Sequence, residues 1–405
     1  MSQLLINRNP ELKRLRDEGF NVHCRSGFLV VDDVWYVAPD RTVKRGRLVT
    51  DLQLSGEEIN GMGTHVIHFA GELPCDASGS PLTKQKHGDR AEHLPDLVTD
   101  HSFSSKPIGP DGQMMPYGDY YEKVVTYVWM FSSHAKEIDP SKDPRTFPTY
   151  ESTEDDSVFL YLDTATSRAG IGTIASKLEL SNVAIVGLGG TGSYILDLVA
   201  KTPVKEIHIF DNDVFHNHNA FRAPGAASLE QLETKPKKVD HFREIYSRMR
   251  RGIHSHDEKL NADNVESLRP MDFVFLSLDS GSSKRLIVQK LEEFGIPFID
   301  VGMGMEITGD QKIFGTLRVA TSTPQKRDHI AAGNRIPYGA DGLNELYATN
   351  IQVADLNCLN ACMAVIKWKK LFGFYADLDG EHFSTYTVDG NHLLNTDTSC
   401  PGLNN

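Results

Sequence analysis

The sequence predicts an α/β protein: a doubly wound, mostly parallel sheet preceded by a smaller β-rich α+β domain. Three observations carry this. A strand, glycine turn, helix and second strand follow one another between Ser181 and Arg222, strands and helices alternate after that unit, and residues 1–150 hold short apolar runs between turn-rich pieces. Alternating strands and helices favour parallel pairing, because each crossover helix covers a face of the sheet. The boundaries read as 1–150, 151–395 and a polar tail at 396–405.

Taken in order, Asn9–Glu18 reads as a short helix and Phe28–Val37 as one or two strands. Asp51–Leu54 and His65–Phe69 are further strand candidates, separated from Tyr117 by Gly-, Pro- and Ser-rich turns. Gly118–Met130 is aromatic-rich and buried, as helix or strand. Glu137–Asp156 reads as a linker onto which Phe147, Pro148 and Tyr150 could dock. Val183, Ile185 and Val186 make a β-branched strand, and Tyr194–Ala200 a helix with Ile195, Leu198 and Val199 on one face. Ile207–Phe210 is the next strand. Glu230–Arg250 reads as a basic helix, Phe273–Leu278 as a buried strand, and Ser283–Phe294 as an amphipathic helix. Ile296–Val301 and Ile313–Val319 follow as strands, the later ones able to run antiparallel at one edge. Thr321–Thr349 is a loop or crossover, Asn350–Lys370 an apolar helix covering more than one face, and Asn395–Asn405 a polar tail.

Composition sets the class. With 405 residues and a formal net charge of −13, the chain lacks the basic balance of a general nucleic-acid or anionic-membrane binder. No apolar run approaches the ~18 residues of a membrane span. The first residues are amphipathic and charged, unlike a signal peptide. Five cysteines (Cys24, Cys75, Cys358, Cys362 and Cys400) show no CxxC pair and no disulfide framework, which fits a reducing cytoplasm.

The chemistry concentrates in the Ser181–Arg222 stretch and just beyond it. Gly187, Gly189, Gly190 and Gly192 let backbone approach a phosphate at a helix N-terminus, and Asp211, 19 residues past the last glycine, can accept ribose hydroxyls. A glycine turn alone serves hydride transfer from a dinucleotide as well as adenylation. Three further features favour a triphosphate. Asp211-Asn-Asp213 is followed by Asn219 and Arg222, and Arg gives bidentate, permanently charged contacts to phosphate. Lys235, Lys237 and Lys238 head the next helix, where a cation can neutralise a leaving pyrophosphate, though a solvated helix start would look the same. Asp279 ends a buried strand and suits Mg²⁺.

In order and spacing, Gly187–Gly192, Asp211–Asp213, Asn219-x-x-Arg222, Lys238-Val239 and Asp279 resemble the ThiF/MoeB superfamily of ubiquitin-activating and sulfur-carrier-activating enzymes, over roughly residues 160–375. Ile296–Gln311 and Asn350–Phe374 are similar to that family's strand before the crossover and its dimer helix. The resemblance implies a Rossmann-like adenylation domain using ATP and Mg²⁺. Gly187, Gly189, Gly190 and Gly192 would cradle the nucleotide, Asp211 would hold the ribose with Asp213 also at the nucleotide, Asn219, Arg222 and Lys238 would bind the triphosphate, and Asp279 the metal. Lys238 rather than Lys235 or Lys237 is chosen from its place before Val239. Arg168 sits about where the family carries an arginine finger, often reaching into a partner subunit. The implied reaction is attack of a ubiquitin-like protein's C-terminal glycine carboxylate on the ATP α-phosphate, with a homodimer and a conjugating-like enzyme as partners. A sulfur-carrier protein or peptide is the alternative carrier, and an NAD-dependent oxidoreductase the alternative class. The N-terminal domain looks like the accessory domain of ThiF-type proteins encoded in bacterial ubiquitin-like conjugation operons, which implies carrier or partner binding and a place in bacterial defence.

The cysteines depart from the thioester-forming members. Thr321–Asn350 holds none, so the crossover loop lacks the family's nucleophile. Cys358 and Cys362 read as buried helix thiols, and Cys75 lies in a turn that could expose it. Cys400, in the tail, is the candidate for a transient thioester; otherwise the acyl group passes straight to a partner's cysteine. His216 and His218 read as polar loop groups without a third metal ligand.

Overall fold

Buried apolar residues gather into one main core in residues 1–150 and into a core on each face of the sheet that follows. The computed structural model describes residues 2–109, 112–150, 157–278, 281–338 and 351–398. It divides into two compact units, residues 1–150 with 167–169, and 151–166 with 170–405.

In the first unit, helix α1 (Pro10–Asp17) precedes strands β1 (Asn21–Arg25), β2 (Phe28–Val37), β3 (Val43–Asp51), β4 (Val66–Ala70), β5 (Lys86–Gly88) and β6 (His101–Ser104). They form one antiparallel sheet in the order β1-β2-β3-β4-β6-β5. The ambiguous aromatic segment is helix α2 (Tyr120–Ile138). Asp119 caps it by accepting the Glu122 N–H at 2.7 Å, the arrangement that satisfies an orphan donor of the first turn. Tyr120, Val124, Tyr127, Val128 and Phe131 fall at helical spacing and bury one face against β-strand residues such as Val31, Ile67 and Phe69. Lys123 lies on that face, fully buried, its ammonium donating to Thr50 Oγ1 at 2.7 Å and the Thr64 carbonyl at 2.6 Å. Burial lowers it to about 8. Of the expected docking residues, Tyr150 accepts the Val22 N–H and donates to the Phe20 carbonyl, while Phe147 is exposed. Cys75 is buried rather than exposed, and its thiol donates to the Leu73 carbonyl.

The second unit is the α/β domain. Its strands are β7 (Asn182–Val186), β8 (Glu206–Phe210), β9 (Ile253–His256), β10 (Phe273–Leu276), β11 (Phe298–Ile307), β12 (Ile313–Ser322), β13 (Phe383–Thr387) and β14 (His392–Thr396). They make one eight-stranded sheet, β9-β8-β7-β10-β11-β12-β13-β14. The pairs from β9 to β11 are parallel and those from β11 to β14 antiparallel. The sheet is therefore doubly wound on its parallel side, with an antiparallel extension at one edge. Helices α3 (Gly190–Ala200), α4 (Lys238–Tyr246), α5 (Ser282–Phe294) and α6 (Ala354–Leu371) cover it. Ile195, Leu196 and Val199 of α3 and Ala361, Ala364, Val365 and Trp368 of α6 share a core with β7, β8 and β10.

Several boundaries differ from the expectations for physical reasons. Glu230–Arg250 is two helices, Leu229–Glu233 and α4, because Pro236 lacks an N–H and Lys235 adopts φ 48°. Strand β11 continues to Ile307, since β12 pairs with it along ten positions. The expected crossover carries a short helix, Asp328–Ala332. Asn395 and Thr396, read as tail, pair with Ser384 and Phe383 in the last hairpin. Asp279, Cys400 and the 339–350 part of the crossover lie outside the described residues. No described helix is long and apolar enough to cross a membrane.

Arg250 organises the turn between α3 and β8. It is 1% exposed and donates to the carbonyls of Ala200, Thr202, Val204 and Lys205. Removing the guanidinium orphans several buried acceptors at once, so Arg250→Met is expected to cost about 3 kcal/mol, read from urea unfolding.

On the β8–β9 edge, His208 stacks with His254 at 4.7 Å and shares a hydrogen bond with His256 at 3.1 Å. Burial first, then the neighbouring imidazoles, push it down to about 4, against the partial opposition of Glu206. The unfolded chain binds the proton near pH 6.5 and the folded chain near pH 4, so stability contributed by neutral His208 is lost as pH falls through that window. His208→Asn is expected to flatten the drop in unfolding midpoint between about pH 7 and pH 4.5.

Candidate functional site

The sheet sets the position of the site. The chain leaves β7 for β8 on one side, and β10 joins β7 on the other, which opens a crevice at the carboxyl ends of β7 and β10. A cavity of about 570 Å³ lies there. Its walls include Gly189, Gly190 and Thr191 from the glycine turn, Asn212, Asp213, His216, His218, Asn219 and Arg222 beyond β8, and Lys238 at the head of α4. Ser277, Leu278 and Val301–Met303 close the β10–β11 side, and Gln352 and Asn357 come from the region of α6.

The glycines are required by contact as well as conformation. Gly187 has φ 90°, and a Cβ there would stand 2.4 Å from the Ser277 carbonyl oxygen. A Cβ on Gly192 would stand 1.9 Å from the Gly187 carbonyl oxygen, backbone against backbone. Helix α3 begins at Gly190, so its first unpaired N–H groups and positive dipole end belong to this turn, an arrangement that favours an anion.

Asp211 and Asp213 divide their work. Asp211 Oδ2 accepts the Leu188 N–H at 2.7 Å and Oδ1 accepts the Asp213 N–H at 2.9 Å, which ties the end of β8 to the glycine turn. Asp213, not Asp211, is the carboxylate on the cavity wall. Lys238 Nζ meets Asp213 at 2.7 Å and Asp211 at 3.5 Å, with both Lys238 and Asp211 side chains 8% exposed. Lys237 instead pairs with Asp257 and the Asn212 carbonyl, away from the wall. Asn219 accepts the His216 N–H at 2.8 Å, and Arg222 donates to Gln352 Oε1 at 3.1 Å. Arg168 belongs to the other unit, where its guanidinium lies 5.4 Å from the Phe147 ring centroid.

Other residues on the wall carry no family motif. His216 and His218 stack at 5.8 Å and both line the cavity, where burial and then the charges of Arg222, His216 and Lys238 hold His218 below the ordinary histidine value. Among the described residues no three His, Cys, Asp or Glu side chains gather to hold a metal. Asn357 was hidden in an apolar helix. Its signal was a polar residue on the buried face, and it is 1% exposed. Among the described residues no cysteine lines the cavity. Burial raises the Cys24 thiol to about 12, and burial and Cys358 raise Cys362.

A glycine turn at the switch point of a doubly wound sheet, facing a wall with Arg and Lys, defines an α/β protein built to hold a polyanion. A model described as the ThiF family matches residues 166–382, more than half of the chain, and the chain belongs to that family. A second model, described as a domain of unknown function (DUF6791), matches residues 10–164. The ubiquitin-like modifier-activating enzyme 5 of Aedes aegypti is 23% identical over 150 residues. That alignment covers 34% of this chain and only 38% of the relative, so the chain matches well under half of its length. Among solved structures, PaaA aligns with a TM-score of 0.42 and 15% identity over 55% of this chain and 75% of its own. E. coli MccB with ATP aligns at 0.41 and 16% over 57% and 66%, and MccB with N-formylated MccA at 0.43 and 18% over 57% and 70%.

In an ordinary helix, Gly→Ala gains about 1 kcal/mol of propensity. Gly192→Ala is expected to reverse that sign, because the new methyl meets a backbone carbonyl that has no room to yield. Urea unfolding of the variant reads it directly.

Proposed function

We propose that this chain is an ATP-dependent adenylyltransferase that activates the C-terminal carboxylate of a ubiquitin-like protein. The observation that carries the reading is one cavity bringing the start of α3 together with Asn219, Arg222 and Lys238. A hydride-transfer enzyme has no use for two cations facing the phosphate turn, whereas a triphosphate whose pyrophosphate departs needs them. Family membership supports the same reaction class. The 23% identity to a ubiquitin-like modifier-activating enzyme supports the carrier.

The chemistry is an in-line displacement. A carboxylate oxygen of the carrier bonds to the α-phosphorus, the bond to the bridging oxygen of pyrophosphate breaks, and the products are an acyl-adenylate and pyrophosphate. No side-chain nucleophile takes part, so positioning and charge stabilisation carry the rate. Arg222 and Lys238 bind the β- and γ-phosphates and take up the charge that grows on the leaving group. Lys238 exchanges Asp213 for phosphate as the nucleotide enters. Asp211 holds the glycine turn and meets the ribose through its remaining lone pairs. Asp213, the hard oxygen donor on the wall, would hold Mg²⁺ together with phosphate oxygens, and the metal would supply further charge neutralisation there; Asp279, outside the described residues, is kept as the proposed metal ligand from the sequence.

The chain is taken to act as a homodimer, with Arg168 as the finger toward the γ-phosphate, in a bacterial conjugation pathway where the N-terminal unit receives the carrier or a conjugating-like enzyme. The crossover Thr321–Asn350 carries no cysteine, so the reading taken is direct passage of the acyl group to a partner's thiol. Cys400 is the competing route. A thioester adduct on a non-reducing gel that disappears in Cys400→Ser would establish the tail route instead.

Substrate-dependent ATP–pyrophosphate exchange is the test. Exchange is expected with a carrier ending in a free glycine and not with its C-terminal amide. Arg222→Gln and Asp279→Asn are each expected to lower the exchange rate by about 10²-fold or more at saturating Mg²⁺. No exchange with any free C-terminus, or full exchange in both variants, would overturn the reading.

A further inference from the structure

Asn357 is a wall residue whose side chain is buried, hydrogen-bonded on one side, and tied to the phosphate turn. Its Oδ1 accepts the Thr191 hydroxyl at 3.0 Å, a contact spanning 166 residues of sequence. Among the described residues its Nδ2 has no hydrogen-bond partner, although the residue is 1% exposed. The amide rests on Gly190, the first residue of α3: a Cβ there would stand 2.1 Å from Nδ2 and 2.4 Å from Cγ. A buried amide N–H left without an acceptor costs about 1–3 kcal/mol, a burden a structural residue in an apolar helix does not need to bear. A leucine would pack the same space at no such cost.

We propose that Asn357 is a phosphate-binding residue: Nδ2 donates to the phosphoryl oxygen seated at the N-terminus of α3, which in the adenylation reading is an α-phosphoryl oxygen of ATP. Three things make that oxygen the acceptor. The donor lies over the first helical residue, where the backbone N–H groups and dipole already favour an anion. With Thr191 donating to Oδ1, the N–H side of the amide is the one left for a ligand. The cations Arg222 and Lys238 are carried by other segments, beyond β8 and at the head of α4, and serve the outer phosphates. As the α-phosphoryl group changes geometry during attack, a rigid neutral donor there stabilises its oxygens without reorganising. Gly190 is needed because the amide occupies the place of its side chain.

The inference rests on the adenylation reading for the identity of the phosphate, and the test separates the two. AMP carries the α-phosphoryl group and lacks the outer phosphates, so the two nucleotides report different parts of the wall. Binding of ATP and AMP to the full chain is measured by calorimetry for wild type, Asn357→Leu, Asn357→Asp, Thr191→Val and Arg222→Gln, with thermal unfolding recorded for each. Asn357→Leu is expected to weaken AMP and ATP by a similar factor of about 10 while keeping its melting temperature. Asn357→Asp, isosteric but without the donor, is expected to weaken both further. Thr191→Val should give a smaller loss of the same pattern, and Arg222→Gln should weaken ATP far more than AMP. Folded Asn357 variants that bind AMP within twofold of wild type, or that lose ATP but keep AMP, would overturn the inference while leaving adenylation standing. Should Asn357→Leu fail to fold, Asn357→Asp and Thr191→Val decide it on the same criteria. A wild type that binds neither nucleotide would overturn the adenylation reading and this inference with it.

Discussion

The site depends on the absence of side chains in one turn. At Gly187, Gly190 and Gly192 an added Cβ would stand under 2.5 Å from another group: the Ser277 carbonyl, the Asn357 amide and the Gly187 carbonyl. Those contacts bring the ends of β7 and β10 and the helices α3 and α6 to one point. Asp211 adds β8 by accepting the Leu188 N–H. Three methyl groups would be enough to prise the five elements apart, because close-packed interiors have no slack to absorb them.

Charge is arranged around that point with an internal counterweight. Lys238, nearly buried, is balanced by Asp213 and Asp211, so without a nucleotide the wall carries no uncompensated ammonium. Exchanging one carboxylate for a phosphate keeps the lysine paired throughout, which is cheaper than uncovering a bare buried charge.

Much of this was legible in the sequence because it is written in local signals. The β-branched run before Gly187, the carboxylate at the end of β8 and the cations that follow lie within one short stretch, and alternation of elements announced the parallel sheet. What escaped had a non-local cause. The break between Leu229–Glu233 and α4 turns on Pro236, a residue in plain view but outweighed by the basic helical pattern around it. The extra length of β11 and β12 comes from pairing with each other, which neither strand shows alone. Asn357 was not singled out in the apolar helix, and only packing against Gly190 gives it a meaning. The turn expected to expose Cys75 is folded against Val37, and burial followed from that bridge.

The bond between Thr191 and Asn357, across 166 residues, also bears on how the domain is made. Walls drawn from such distant parts of the chain cannot assemble before nearly the whole domain has done so, and long-range closure of this kind is slow. During synthesis the glycine turn leaves the ribosome well before the helix that completes it, and must wait. Once closed, anything bound in the cavity grips both ends of the wait: a ligand at a hundred times its dissociation constant would hold the domain together by about 2.7 kcal/mol more.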